Sequence, residues 1–216
     1  MKRILCNDGS EKFPYVLRIP TNMKSKLPLV ISLHGSGLRG DGSDEMLDKV
    51  EGYGFAELLP LDKEIDCILV SPQLCKGKMW SSYTIELGEF VKAMIKKFDA
   101  DEDRVYLTGV SIGGFGTWFT AIEFPELFSA IAPVMGGGLP AYADQLDMPV
   151  WAFHGENDKC VKVSNSIDMI EAMRKVGKVE DIRLDIIPEI DHTAELFAYN
   201  DDKLLKWFLS HKKNRS

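Results

Sequence analysis

The chain has 216 residues, 45% of them hydrophobic and 27% charged, the make-up of a folded single domain and not of a disordered segment. Its 26 basic and 33 acidic residues leave a net charge of −7, which argues against the basic surface a nucleic-acid binder needs. No apolar run reaches the ~20 residues of a membrane span, and residues 1–8 turn polar too early for a secretory signal, so a cytoplasmic location is expected.

Residues 15–19 alternate weakly and stop at Pro20, the pattern of an antiparallel edge strand. Residues 29–33 are almost wholly apolar and run into His34-Gly35, which predicts a strand buried on both faces. Further strands are expected at 67–71, 105–108, 130–134, 150–153 and 183–187. Between them, Leu87, Phe90, Val91, Met94, Ile95 and Phe98 recur at helical spacing, as do Val163, Ile167, Ile170, Met173 and Val176. Both stripes read as core packing. Trp118 and Phe119 fall inside a helix that follows residue 111 and are also assigned to the core. A closing helix at 202–209 carries Leu204, Leu205, Trp207 and Phe208. The alternation of strand and helix predicts an α/β architecture, a mostly parallel sheet covered on both faces, in one domain over 1–216. Cys6, Cys67, Cys75 and Cys160 form no CxxC pair and read as free thiols, with no metal expected. The basic cluster Lys212-Lys213-Asn214-Arg215 reads as a solvated end.

The stretch from Gly109 through Ser111 to Gly113 carries the chemistry. It is a G-x-S-x-G sequence directly after a predicted strand and before a predicted helix, the context of a nucleophile elbow. A sharp turn there exposes the serine Oγ above the sheet, and the flanking glycines let neighbouring backbone pass without a Cβ clash. A serine hydroxyl needs a base, and the base needs an orienting acid, here in the chain order serine, acid, histidine. Of His34, His154, His192 and His211, only His192 lies in a loop after the last strand and before the closing helices. Asp158 follows the strand at 150–153 and is the expected acid, with Glu156 its competitor and Asp144 and Asp147 weaker ones. The backbone N–H of Ile112 and that of Ser36, with Gly35 as alternative, are the expected oxyanion donors. His34 is expected to bond within its own loop. The G-x-G-x-x-G form of residues 35–40 lacks an acidic ribose partner after the next strand, so dinucleotide binding is not expected.

The run His34-Gly35-Ser36-Gly37-Leu38-Arg39-Gly40-Asp41 resembles the HGSGERGD block of the predicted-peptidase and carbohydrate-esterase branch of the α/β-hydrolases. That branch adjoins the feruloyl and acetyl-xylan esterases and the phospholipase/carboxylesterase family. The resemblance continues through Ser71-Pro72-Gln73, Trp80, residues 104–114, 124–128 and 151–158, and ends at His192 and Tyr199-Asn200. It implies an α/β-hydrolase fold with little or no cap and a triad of Ser111, Asp158 and His192. The implied activity is a cofactor-free serine esterase acting on small-molecule or carbohydrate-linked esters. Lysophospholipase, thioesterase or peptidase action and a non-catalytic binding protein of the same fold are the rival readings. Asp191 stands where the family usually has glycine, and Glu195 where it often has tryptophan. Gln73 and Trp80 are pocket candidates by position, and Met135-Gly136-Gly137-Gly138 marks a strand end where missing side chains could open a cleft.

Overall fold

The computed structural model describes residues 1–22 and 26–213. Its strands are β1 (Lys2–Cys6), β2 (Tyr15–Ile19), β3 (Leu29–Leu33), β4 (Ile68–Pro72), β5 (Val105–Val110), β6 (Ala130–Val134), β7 (Val150–Gly155) and β8 (Ile182–Ile187). They form one sheet in the order β1-β2-β4-β3-β5-β6-β7-β8. β1 and β2 pair antiparallel, as do β2 and β4, and every later pairing is parallel. The helices are α1 (Asp44–Glu51), α2 (Thr84–Lys97), α3 (Ile112–Glu123), α4 (Ser164–Val176), α5 (Glu195–Ala198) and α6 (Lys203–Ser210). This is the mostly parallel α/β-hydrolase sheet that the strand–helix alternation and the resemblance anticipate. Among the described residues, no helix is long and apolar enough to cross a membrane.

Successive side chains on a strand point to opposite faces, so each buried strand feeds two cores. Leu29, Ile31 and Leu33 pack with Ile68, Val70, Val105 and Leu107 beneath α2, α3 and α4. Val30, Leu69 and Tyr106 face the other way, onto Phe55, Leu59, Leu204, Trp207 and Phe208. The helical stripes of α2 and α4 supply Phe90, Val91, Met94, Ile170 and Met173 to the first core, as their spacing requires. Trp118 is fully buried in it, whereas Phe119 is only half-buried.

The expectation of an edge strand at residues 15–19 needs correcting. β2 is antiparallel, but β1 covers its outer side with five paired residues, Lys2 to Cys6, and the edge belongs to β1. Arg18 is accordingly buried. Its guanidinium pairs with Glu51 at 2.7 Å and donates to the carbonyls of Ala56 and Leu59 at 2.5 Å each. That contact pins the segment between α1 and β4 against the sheet. The tail is not free either. Lys213 donates through Nζ to the carbonyls of Glu126 (2.7 Å) and Leu127 (3.1 Å), while Asn214 and Arg215 lie outside the described residues.

Candidate active site

β5 ends at Val110, α3 begins at Ile112, and Ser111 makes the entire turn between them with φ 57° and ψ −114°. A non-glycine residue held there carries a cost of about 1–3 kcal/mol. The surroundings impose it: Ser111 N–H donates to the Val134 carbonyl at 2.9 Å, and its carbonyl accepts the Phe115 N–H at 3.0 Å. The flanking glycines are required by close approach. A Cβ on Gly113 would strike the Leu33 carbonyl, and one on Gly109 would lie 2.5 Å from Gly113 O. The elbow therefore rests directly on the end of β3.

His192 lies on the loop between β8 and α5. Its Nε2 is 2.9 Å from Ser111 Oγ, and its Nδ1 is 2.6 Å from Asp158 Oδ2. The Asp158 side chain is fully buried, while that of His192 remains 23% exposed. Because the carboxylate is an acceptor, Nδ1 carries the proton and Nε2 presents its lone pair to the serine. Asp158 is held in turn by the backbone N–H groups of Cys160 (2.9 Å) and Val161 (2.8 Å) on Oδ1. Glu156, its competitor, turns away to accept the Glu189 N–H at 3.1 Å.

A second histidine stands behind the acid. His154 Nε2 is 2.9 Å from the Val161 carbonyl and 3.4 Å from Asp158 Oδ2, and Nδ1 is 2.7 Å from Ser166 Oγ. Burial holds its pKa below the ordinary value. A neutral ring then donates from Nε2 toward the carbonyl and carboxylate and accepts the serine hydroxyl at Nδ1.

The histidine loop is tied down at both of its ends. Asp191 accepts the N–H groups of Lys159 and His192, both at 2.9 Å, and so joins the loop carrying Asp158 to the loop carrying His192. The Lys159 N–H holds the Asp191 carboxyl below the usual carboxylate range. Ala194 N–H meets Met135 Sδ at 3.2 Å, and Met135 itself has φ 48°.

The loop after β3 lies against the elbow. A Cβ built on Gly35 would sit 3.9 Å from Ser111 Cβ, 3.7 Å from Val110 O and 3.7 Å from Tyr53 Oη. Ile112 opens α3, so its N–H lacks an acceptor within the helix, and Ser36 opens the short 3₁₀ turn Ser36–Leu38. His34 braces this loop from inside. Leu74 N–H donates to its Nε2 at 3.0 Å, which leaves Nδ1–H to donate to the Gly35 carbonyl at 2.6 Å.

Burial pushes the His34 pKa from its ordinary 6.5 down to about 4. The unfolded chain thus binds the extra proton first as pH falls. Stability from this residue is complete above pH 6.5 and is lost between 6.5 and 4, by on the order of 3 kcal/mol. Urea unfolding at pH 7 and pH 4.5 should show that loss in the wild type and a smaller one in His34→Asn. Equal losses would contradict the assignment, and an NMR titration showing His34 protonated at pH 5.5 would contradict it independently of how the variant folds.

The two pocket candidates lie under the site and not in it. Trp80 is fully buried against Phe13 and His34, and its Nε1–H donates to the His34 carbonyl at 3.2 Å. Gln73 is buried too. It accepts the Gly42 N–H at 2.9 Å and donates to the carbonyls of Leu38 (3.2 Å) and Met46 (3.1 Å), shaping the continuation of the loop after β3. A strand end brings a side chain close to a site without deciding which way it points. The glycines after Met135 open no cleft: Gly136 abuts Gly114 of α3, and Gly137 and Gly138 abut Asn165 and Met169 of α4.

The open space is a cleft of about 330 Å³ lined by Gly35, Ser36, Gly37, Leu38, Tyr53, Val110, Ser111 and His192. Tyr53 escapes sequence reasoning because its partner is 142 residues away: Tyr53 Oη lies 3.4 Å from Glu195 Oε1. Among the described residues Glu195 Oε2 is buried without a hydrogen-bond partner, and burial raises the Glu195 carboxyl pKa. Glu195 thus places a carboxyl group behind Tyr53, outside the residues that line the cleft.

Residues 16–203 match the dienelactone hydrolase family. Feruloyl esterase B of Talaromyces stipitatus is 26% identical over 133 residues, 60% of this chain and 37% of that protein. Acetylxylan esterase A of Aspergillus awamori is 30% identical over 124 residues, 55% of this chain and 40% of that protein. The chain spans about two fifths of the length of these curated relatives. The crystal structure of a thermostable esterase superposes with a TM-score of 0.81 at 25% identity, covering 98% of this chain and 63% of that one. With its match running from β2 to the start of α6, the chain belongs to the dienelactone hydrolase family.

Proposed function

We propose that the chain is a serine esterase that hydrolyses small or carbohydrate-linked carboxylic esters through an acyl-enzyme. The observation that carries this reading is the unbroken line from buried Asp158 through His192 to Ser111 Oγ, with contacts of 2.6 and 2.9 Å. Ser111 Oγ attacks the ester carbonyl while its proton passes to His192 Nε2. Asp158 steadies the imidazolium without taking its proton. The oxyanion of the tetrahedral intermediate rests on the N–H groups of Ile112 and Ser36, donors worth about 10²–10³ each in turnover. His192 returns the proton to the departing alcohol, and water, deprotonated by the same ring, then releases the acid.

Small substrates are favoured because the cleft volume, about 330 Å³, lies at the low end of the roughly 300–1,000 Å³ range of ligand pockets. The names of the relatives, a feruloyl esterase and an acetylxylan esterase, add support for feruloyl and acetyl esters as the substrate class. A reducing, cytoplasmic setting fits the free thiols, two of which, Cys75 and Cys160, are exposed.

The test is a substrate panel of acetyl, butyryl, feruloyl and octanoyl esters on sugar and non-sugar alcohols, ranked by kcat/KM. Short acyl esters on sugars should lead the ranking. Octanoyl esters or thioesters leading it would overturn the substrate class.

A further inference from the structure

The acid and the base of the site have an exposed thiol beside them. Cys160, Asp158 and His192 each present one donor atom, and the three atoms lie within 4.8 Å of one another. Cys160 is a free, exposed cysteine, whereas the Asp158 side chain is fully buried. The Cys160 backbone N–H already bonds Asp158 Oδ1 at 2.9 Å, which fixes where the thiol stem starts. Thiolate, imidazole and carboxylate together are a donor set for zinc and similar divalent ions. Such ions hold these ligands at about 2.0–2.3 Å and leave a fourth position for water. The exposed Cys160 side chain approaches by turning about χ1, and the His192 ring backs away from Asp158, because Nδ1 and Oδ2 stand 2.6 Å apart and two tetrahedral ligands of one such ion stand about 3.3 Å apart. Of the other exposed groups, Cys75 has no such partners among the described residues.

We propose that Cys160, Asp158 and His192 form an inhibitory site for a thiophilic divalent cation. The Cys160 thiol gives its proton to solvent and its sulfur binds the metal. An Asp158 oxygen and the Nδ1 lone pair of His192 complete the protein ligands. Since Nδ1 now bonds the metal, the proton it carried moves through solvent to Nε2. The neutral ring keeps one proton, but on the atom that faces Ser111 Oγ. Nε2 then donates where it must accept, and the serine loses its base. One metal is bound, one proton is released, and no electrons are transferred. The inhibitory consequence rests on the proposed esterase role; the binding itself does not.

The experiment uses chelator-treated full chain with zinc for turnover and cobalt(II) for spectroscopy. Zinc should suppress hydrolysis of p-nitrophenyl acetate by about tenfold or more, and EDTA should restore it. Cys160→Ser, normalised to its own metal-free rate, should need about tenfold more zinc, with Cys75→Ser behaving as wild type. Cobalt should give thiolate-to-metal absorption in the wild type and none in Cys160→Ser, whether or not the protein turns over esters. Equal zinc sensitivity of wild type and Cys160→Ser, or cobalt spectra without a thiolate band, would overturn the proposal. A thiolate band with undiminished turnover would overturn its inhibitory part.

Discussion

Ser111→Ala is expected to leave the fold intact and to lower ester turnover by roughly 10⁵–10⁶-fold, the size of loss seen when a triad nucleophile is removed. Among the described residues the Oγ makes one hydrogen bond, to His192 Nε2 of the partly exposed ring, so its removal leaves no buried polar atom of the core unpaired. Alanine accepts the strained φ of 57° no better than serine, and the elbow is held by backbone bonds to Val134 and Phe115 that the substitution keeps. Circular dichroism and the urea midpoint should therefore match wild type within error. Steady-state kinetics on p-nitrophenyl acetate check the loss. Turnover within about tenfold of wild type would place the nucleophile elsewhere.

Asp158→Asn is expected to cost about 10⁴-fold in turnover with little change in KM, because an amide in that place favours the wrong imidazole tautomer. The aspartate accepts from His192 Nδ1, from two backbone N–H groups and at longer range from His154. An asparagine presents its NH₂ to one of those donors. If the NH₂ faces His192, Nδ1 must accept and the ring proton moves to Nε2, facing the serine. Glu156→Gln should stay within a few-fold of wild type, since Glu156 caps the turn at Glu189 and does not touch His192. The reverse order of the two variants would transfer the acid's role to Glu156.

The elbow and its partners were legible in the sequence for a physical reason. Continuous apolarity marks strands such as β3 and β5 that are buried on both faces, and the G-x-S-x-G turn sits between one of them and a helix. Chain order and loop position then singled out Asp158 and His192; the structure brings Asp158 within hydrogen-bonding distance of His192, and His192 within that of Ser111. β1 was not legible: its burial is partial and it carries Lys2 and Arg3, so no apolar alternation stands out. α1 escaped for a similar reason, with only Leu47 and Val50 buried among eight residues. Gln73 and Trp80 follow the end of β4, but their side chains turn inward to brace the loop after β3. Tyr53 lies on the segment that Arg18, buried beside β1, ties down at the Ala56 and Leu59 carbonyls, and its hydroxyl meets Glu195 from a distant part of the chain. Such placements depend on contacts between distant parts of the chain, which local pattern does not encode.

The role of Ser111 as an activated nucleophile is tested most directly by labelling with a fluorophosphonate and mapping the adduct by peptide mass spectrometry. The geometry predicts one stoichiometric adduct, on Ser111, formed rapidly in the wild type and absent from Ser111→Ala. His192→Ala should label far more slowly. A folded wild type that takes no label, or one labelled at another residue, would contradict the account.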